Sequence, residues 1–127
     1  MIGYVTLGTN NLEKAVAFYD ALFSSIDVGR FLETEQFIAW APSMDKPGVS
    51  VTKPFDGKPA TVGNGTMVAI MLDSNDKVDA FYHKAIELGG TCEGKPGPRG
   101  EMSGFYAGYF RDLDGNKLNA FHVGAPE

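Results

Sequence analysis

Lys14-Ala15-Val16-Ala17-Phe18-Tyr19 is answered 63 positions later by Lys77-Val78-Asp79-Ala80-Phe81-Tyr82, with four of the six residues identical. The offset is half of the 127-residue chain, and an internal repeat settles the architecture before any single element does. Each hexapeptide follows a short β-branched run and precedes further extended segments, so what repeats is an order of elements.

In the first copy, Tyr4 to Leu7 suits a pleated surface and predicts a strand. Asn10 is a candidate helix cap, with Glu13 three residues on. Leu12, Val16, Tyr19, Phe23 and Ile26 recur at helical spacing. Extended stretches follow at Val28 to Leu32, Gln36 to Ala41 and Gly48 to Thr52. In the second copy Met67 to Leu72 predicts a strand, Ser74 a cap, and Val78, Phe81, Ala85 and Leu88 a helical stripe that Gly89-Gly90 stops. Strands near Thr91 to Glu93, Phe105 to Arg111 and Lys117 to Val123 complete the second half, with Asp112 to Asn116 as the turn between the last two. Each half reads β-α-β-β-β, an α+β pattern. About 60 residues bury too little surface to be comfortable alone. The expectation is therefore one domain spanning 1–127, with module 1 over about 1–54, a Pro/Gly-rich link over about 55–65 and module 2 over about 66–127.

The composition narrows the function classes. Hydrophobic residues at 43% and charged residues at 21% fall in the globular range. Eleven Lys and Arg stand against 16 Asp and Glu, and the basic residues are scattered, so no nucleic-acid surface is expected. The absence of a long apolar run and of a secretory pattern, with Cys92 as the one cysteine, predicts a soluble cytoplasmic protein with no membrane partner. Cys92 at a strand start reads as a buried, inert thiol, and Asp112 and Asp114 as turn residues.

The chain resembles the vicinal oxygen chelate superfamily of glyoxalase I, bleomycin-resistance proteins, fosfomycin-resistance enzymes and extradiol dioxygenases. The resemblance rests on Val5-Thr6-Leu7, Asn11-Leu12-Glu13-Lys14-Ala15 and Phe18-Tyr19. It rests also on Tyr109 to Leu118, whose Asp112-Leu113-Asp114-Gly115-Asn116 looks like the family's Asp-Pro-Asp-Gly-Asn turn with Leu113 replacing the proline. It implies two βαβββ modules forming a curved eight-stranded mixed sheet, with helices on the convex side and substrate on the concave side. Many such proteins hold a divalent metal there through His, Gln or Glu. The matching positions here are Tyr4, Met67, Asn119 and Ser50, a phenol, a thioether, an amide and an alcohol, which suit no hard or borderline divalent ion. His122 falls on the opposite face of its strand from Asn119, and His83 on a helix beside Lys84. The expectation is a protein without metal or other cofactor.

Strand alternation fills the concave face with Tyr4, Thr6, Ser50, Thr52, Met67, Ala69, Met71, Phe105, Ala107, Tyr109, Lys117, Asn119 and Phe121, and counting ten back from Ser50 adds Trp40. The opposite positions Val5, Leu7, Val49, Val51, Val68, Ile70, Leu72 and Leu118 are aliphatic, as beneath helices. The candidate ligand residues are Tyr4, Thr6, Trp40, Ser50, Met67, Arg99, Tyr109, Asn119 and Phe121, Arg99 as an anion clamp on a loop that could equally leave it solvated. The aromatics could also simply fill a closed core, and Trp40 could pack on a second copy. The leading expectation is a metal-free binder of a small organic molecule, as a homodimer. A lyase or isomerase of glyoxalase type, metal-dependent or tyrosine-assisted, is the alternative, and a non-catalytic interaction module is the third.

Overall fold

The computed structural model describes residues 1–100 and 103–124. The elements run β1 (Tyr4–Gly8), α1 (Leu12–Ser24), β2 (Gly29–Glu33), β3 (Phe37–Ala41), β4 (Gly48–Thr52), β5 (Val68–Met71), α2 (Asn75–Glu87), β6 (Thr91–Pro98), β7 (Phe105–Arg111) and β8 (Lys117–Val123). Both βαβββ modules of the α+β reading are present. Hydrogen bonding sorts the eight strands into two sheets of four, β1-β4-β3-β2 and β5-β8-β7-β6. No ladder joins them among the described residues, so the eight strands form two four-stranded sheets, with β1 and β5 each an outer strand of its own sheet. In each sheet the first strand runs parallel to the last and the other pairs are antiparallel.

Each sheet carries one helix. α1 buries Ala15, Phe18, Tyr19, Leu22 and Phe23, while Leu12, Val16 and Ile26 of the expected stripe are only half-buried. α2 buries Val78, Phe81, Tyr82 and Ala85. These side chains meet the aliphatic strand faces in one core, with Leu7, Val49, Val51 and Leu118 buried and Val5, Val68, Ile70 and Leu72 packed against them. Phe23 and Phe81, one from each helix, bring their rings to 6.2 Å, and Phe81 reaches Phe110 at 6.1 Å. Burying an aromatic of this size is worth about 1.5–3 kcal/mol, and a shared core is how two half-size modules become one fold.

Asn11, rather than Asn10, caps α1, its side chain accepting from the Lys14 amide at 3.1 Å. Asn10 is committed elsewhere: it exchanges hydrogen bonds with the Ala60 backbone at 2.6 and 3.1 Å, pinning the link between modules. Ser74 caps α2 as expected. Cys92 is exposed on β6, against the buried position expected for it. Among the described residues no helix is long and apolar enough to cross a membrane.

Candidate functional site

With one face of each sheet under a helix, the opposite faces are left for a ligand. On module 1 that face presents Tyr4 and Thr6 from β1, Ser50 and Thr52 from β4, and Phe37 and Ala39 from β3. Tyr4 is half exposed and its ring lies 6.2 Å from that of Phe37. The Thr6 and Ser50 hydroxyls are 2.7 Å apart, and Ser50 also donates to the Val5 carbonyl at 3.3 Å. Ser50 is fully buried, so its hydroxyl is spent inside the sheet.

Trp40 is not on this face. Its strand partner is Val49, and Ala39 stands opposite Ser50. β3 and β4 are joined by six residues and β7 and β8 by five, so counting by tens carries Tyr109 to Asn119 but misses by one in module 1. A slip of one residue moves a side chain to the other side of the sheet. Trp40 is accordingly 1% exposed, packed on Tyr19 and Phe23 at 5.6 and 5.8 Å, and donates its indole N–H to Asp20 at 2.9 Å. Asp20 also receives the Arg30 guanidinium at 2.6 and 2.9 Å, which is the main reason its carboxyl titrates below the usual range.

Module 2 assembles more. Tyr109 of β7 stands between Gly94 of β6 and Asn119 of β8. The Arg99 guanidinium lies 5.4 Å and the Lys117 ammonium 5.5 Å from the Tyr109 ring centroid. Gly94 makes room for this stack, because a Cβ there would come within 3.3 Å of the Arg99 guanidinium and 3.4 Å of the Tyr109 ring. A cavity of about 670 Å³ opens here, lined by Glu93, Gly94, Lys95, Arg99, Tyr109 and Lys117. Glu93 is engaged by Arg111. Asn119 is only 2% exposed, and its Oδ1 has no hydrogen-bond partner among the described residues. Buried polar atoms are nearly always paired, so an orphan acceptor calls for an account. Farther along the same face Phe121 stacks on Phe105 at 5.5 Å with an interplanar angle of 20°.

The structure thus gathers Arg99, Tyr109 and Asn119, adds Lys117, and sets Phe121 nearby. Tyr4, Thr6 and Ser50 belong to the other sheet, and Met67 lies just before β5, 41% exposed. Glu93, Gly94 and Lys95 are further lining residues that the sequence reading passed over. Residues 94–98 read as loop because of Pro96 and Pro98, yet β6 runs through them as an edge strand with two irregularities, where proline is tolerated. The alternation of Thr91, Glu93 and Lys95 was the available signal.

The donors at the family's metal positions do not fit a divalent ion. Ser50 is consumed by its neighbours, Tyr4 and Met67 offer a phenol and a thioether, and Asn119 offers one amide. Among the described residues no three His, Cys, Asp or Glu side chains converge. His83 is exposed on α2, and His122 is tied to Asn75 at 3.0 Å.

The family model described as Glyoxalase/Bleomycin resistance protein/Dioxygenase superfamily matches residues 1–120. The chain belongs to this superfamily. A glyoxalase/bleomycin resistance protein from Albidiferax ferrireducens T118 is 36% identical over 98% of this chain and 99% of its own, with a TM-score of 0.87. Two more distant structures share the superfamily fold. A hypothetical protein, SA1046, from S. aureus is 23% identical over 94% and 91% of the two chains, with a TM-score of 0.73. A lactoylglutathione lyase from Agrobacterium tumefaciens is 20% identical over 96% and 92%, with a TM-score of 0.70. None of the curated proteins matches this superfamily member.

Proposed function

We propose that this member of the glyoxalase/bleomycin resistance superfamily binds a small organic molecule on the helix-free face of its sheets, without a metal, in the cytoplasm. The supporting observation is the cavity at Tyr109, where an aromatic ring and two cations meet. Concave sites where a few polar groups converge beside an aromatic surface are where small ligands bind. The donor set at the family's metal positions supports the metal-free part of the reading. We propose further that two copies pair, since Tyr4, Met67 and Met71 leave exposed apolar surface beside the two outer strands β1 and β5.

Elemental analysis of the purified chain, combined with a hemithioacetal isomerisation assay with and without added Ni²⁺ or Zn²⁺, tests the reading. The expected outcome is substoichiometric metal and no turnover, with an unchanged thermal transition after chelation. Stoichiometric metal with metal-dependent isomerisation would replace the binder by a lyase. Intrinsic tryptophan fluorescence is a poor reporter of binding, because Trp40 sits on the core side of its sheet.

A further inference from the structure

We infer that the ligand of the module 2 face is a small organic oxyanion, its charged end held by Arg99 and Lys117 beside the Tyr109 ring. This rests on the binding reading above and specifies its chemistry.

The charge distribution carries the argument. Acids outnumber bases 16 to 11 in the chain, yet the cavity wall carries Lys95, Arg99 and Lys117 against Glu93, whose carboxylate already faces Arg111. Among the described residues no carboxylate pairs with Arg99 or Lys117. Their head groups instead share one aromatic ring, and the Arg99 guanidinium also donates to the Lys95 and Pro98 carbonyls. Two like charges held against one ring repel each other, and the ring's quadrupole offsets this only in part. An oxyanion beside both head groups supplies a countercharge, and the Arg99 N–H groups not given to backbone carbonyls can donate to it.

The test is a titration of the ¹⁵N-labelled full chain with 4-hydroxybenzoate, phenyl phosphate and the neutral 4-hydroxybenzamide, following backbone amides by NMR. Saturable shifts at Gly94, Tyr109 and Asn119 are expected with one or both oxyanions, the two distinguishing carboxylate from phosphate. Affinity is expected to fall about tenfold in Arg99→Gln, in Lys117→Gln and in 0.5 M NaCl, with the thermal transition of both variants unchanged. Equal binding of 4-hydroxybenzamide at these amides, or oxyanion binding that neither variant weakens, would overturn the inference while leaving the binding face in place. If no probe shifts these amides, the inference and the reading beneath it fail together.

Discussion

The two modules meet at two junctions that the internal repeat makes equivalent, and only one of them is fastened. At the first, the turn after β7 enters with Asp112, which is 4% exposed. Its carboxylate accepts from the Tyr19 hydroxyl of module 1 at 2.6 Å, from the Asn116 side chain at 3.0 Å, and from the Asp114 and Asn116 amides at 2.9 Å. Asn116 in turn donates to the Gly8 carbonyl at 3.0 Å, and Asp114 accepts from the Asn10 amide at 3.0 Å. At the second junction the residue in the place of Asp112 is Pro42, first after β3. Among the described residues no hydrogen bond crosses there. What remains is a cleft of about 470 Å³ lined by Ile26, Val28, Pro42, Met71 and Phe81, among others. The difference teaches that repeated secondary structure does not carry repeated energetics. A carboxylate fixed by three donors of its own turn and one hydroxyl from across makes one interface cohesive, and its absence leaves the other held by apolar packing.

Asp112→Ala should break the comparison most sharply. It strands the Tyr19 hydroxyl and three N–H groups in a buried site, at a cost of 1–3 kcal/mol for each uncompensated group, so the urea-unfolding free energy should drop by at least about 3 kcal/mol. Pro42→Ala, at the same place in the other turn, should change it by less than about 0.5 kcal/mol. Equal losses would mean that the junctions are alike.

Tyr19→Phe should have an intermediate effect, about 1.5–3 kcal/mol at neutral pH for one hydrogen bond to a buried charge. It also carries a pH signature. Burial first, and then the neighbouring Asp112 charge, raise the Tyr19 phenol well above its ordinary value of 10.0. A group whose folded-state pKa is raised gives stability that is complete below its unfolded pKa and lost as pH climbs toward the folded one. Wild-type stability should therefore fall above about pH 10, and the variant should lose that part of the alkaline slope. Tyr82, its repeat partner, is pushed up to about 12, mainly by burial, and should supply the residual slope. If the alkaline limb is the same in both proteins, Tyr19 is not the titrating group.

The smallest expected effect compares the helix ends. The loop after α1 passes through Asp27 at φ +60°, and that after α2 through Gly89 at φ +106°. Asp27→Gly relieves a side chain from the left-handed region and should stabilise by up to about 1 kcal/mol. Gly89→Ala adds a Cβ at 3.1 Å from Leu113 and should destabilise by about 1–2 kcal/mol. Thermal midpoints moving in the same direction would show that backbone strain does not distinguish the two ends.

Much of this frame can be read in the chain itself. The hexapeptide repeat, the Ser74 cap and the aliphatic strand positions locate both modules and their buried faces, because burial imposes periodicity on residue type. Tyr109 and Asn119 were legible as candidates because the five-residue turn keeps β7 and β8 in the counted register, and Arg99 because it is a guanidinium in a Pro/Gly-rich stretch. Trp40 was misplaced because the face of a strand in a hairpin depends on whether its turn is odd or even, which composition does not reveal. Asn10 and Asn11 are adjacent residues of one type, and which of them caps the helix is decided by Ala60 and Asp114, distant in sequence. The division into two sheets depends on how the two modules pack in space, which no local pattern encodes.

The unequal junctions bear on how such a chain could arise. Two separate half-length chains of one sequence, associated about a dyad, would present identical contacts on both sides of the axis. Neither side could then trade its carboxylate for a proline without the other doing the same. Here the two halves differ in sequence, so Tyr19 and Asp112 serve as a fastening on one side while Pro42 stands at the matching place on the other.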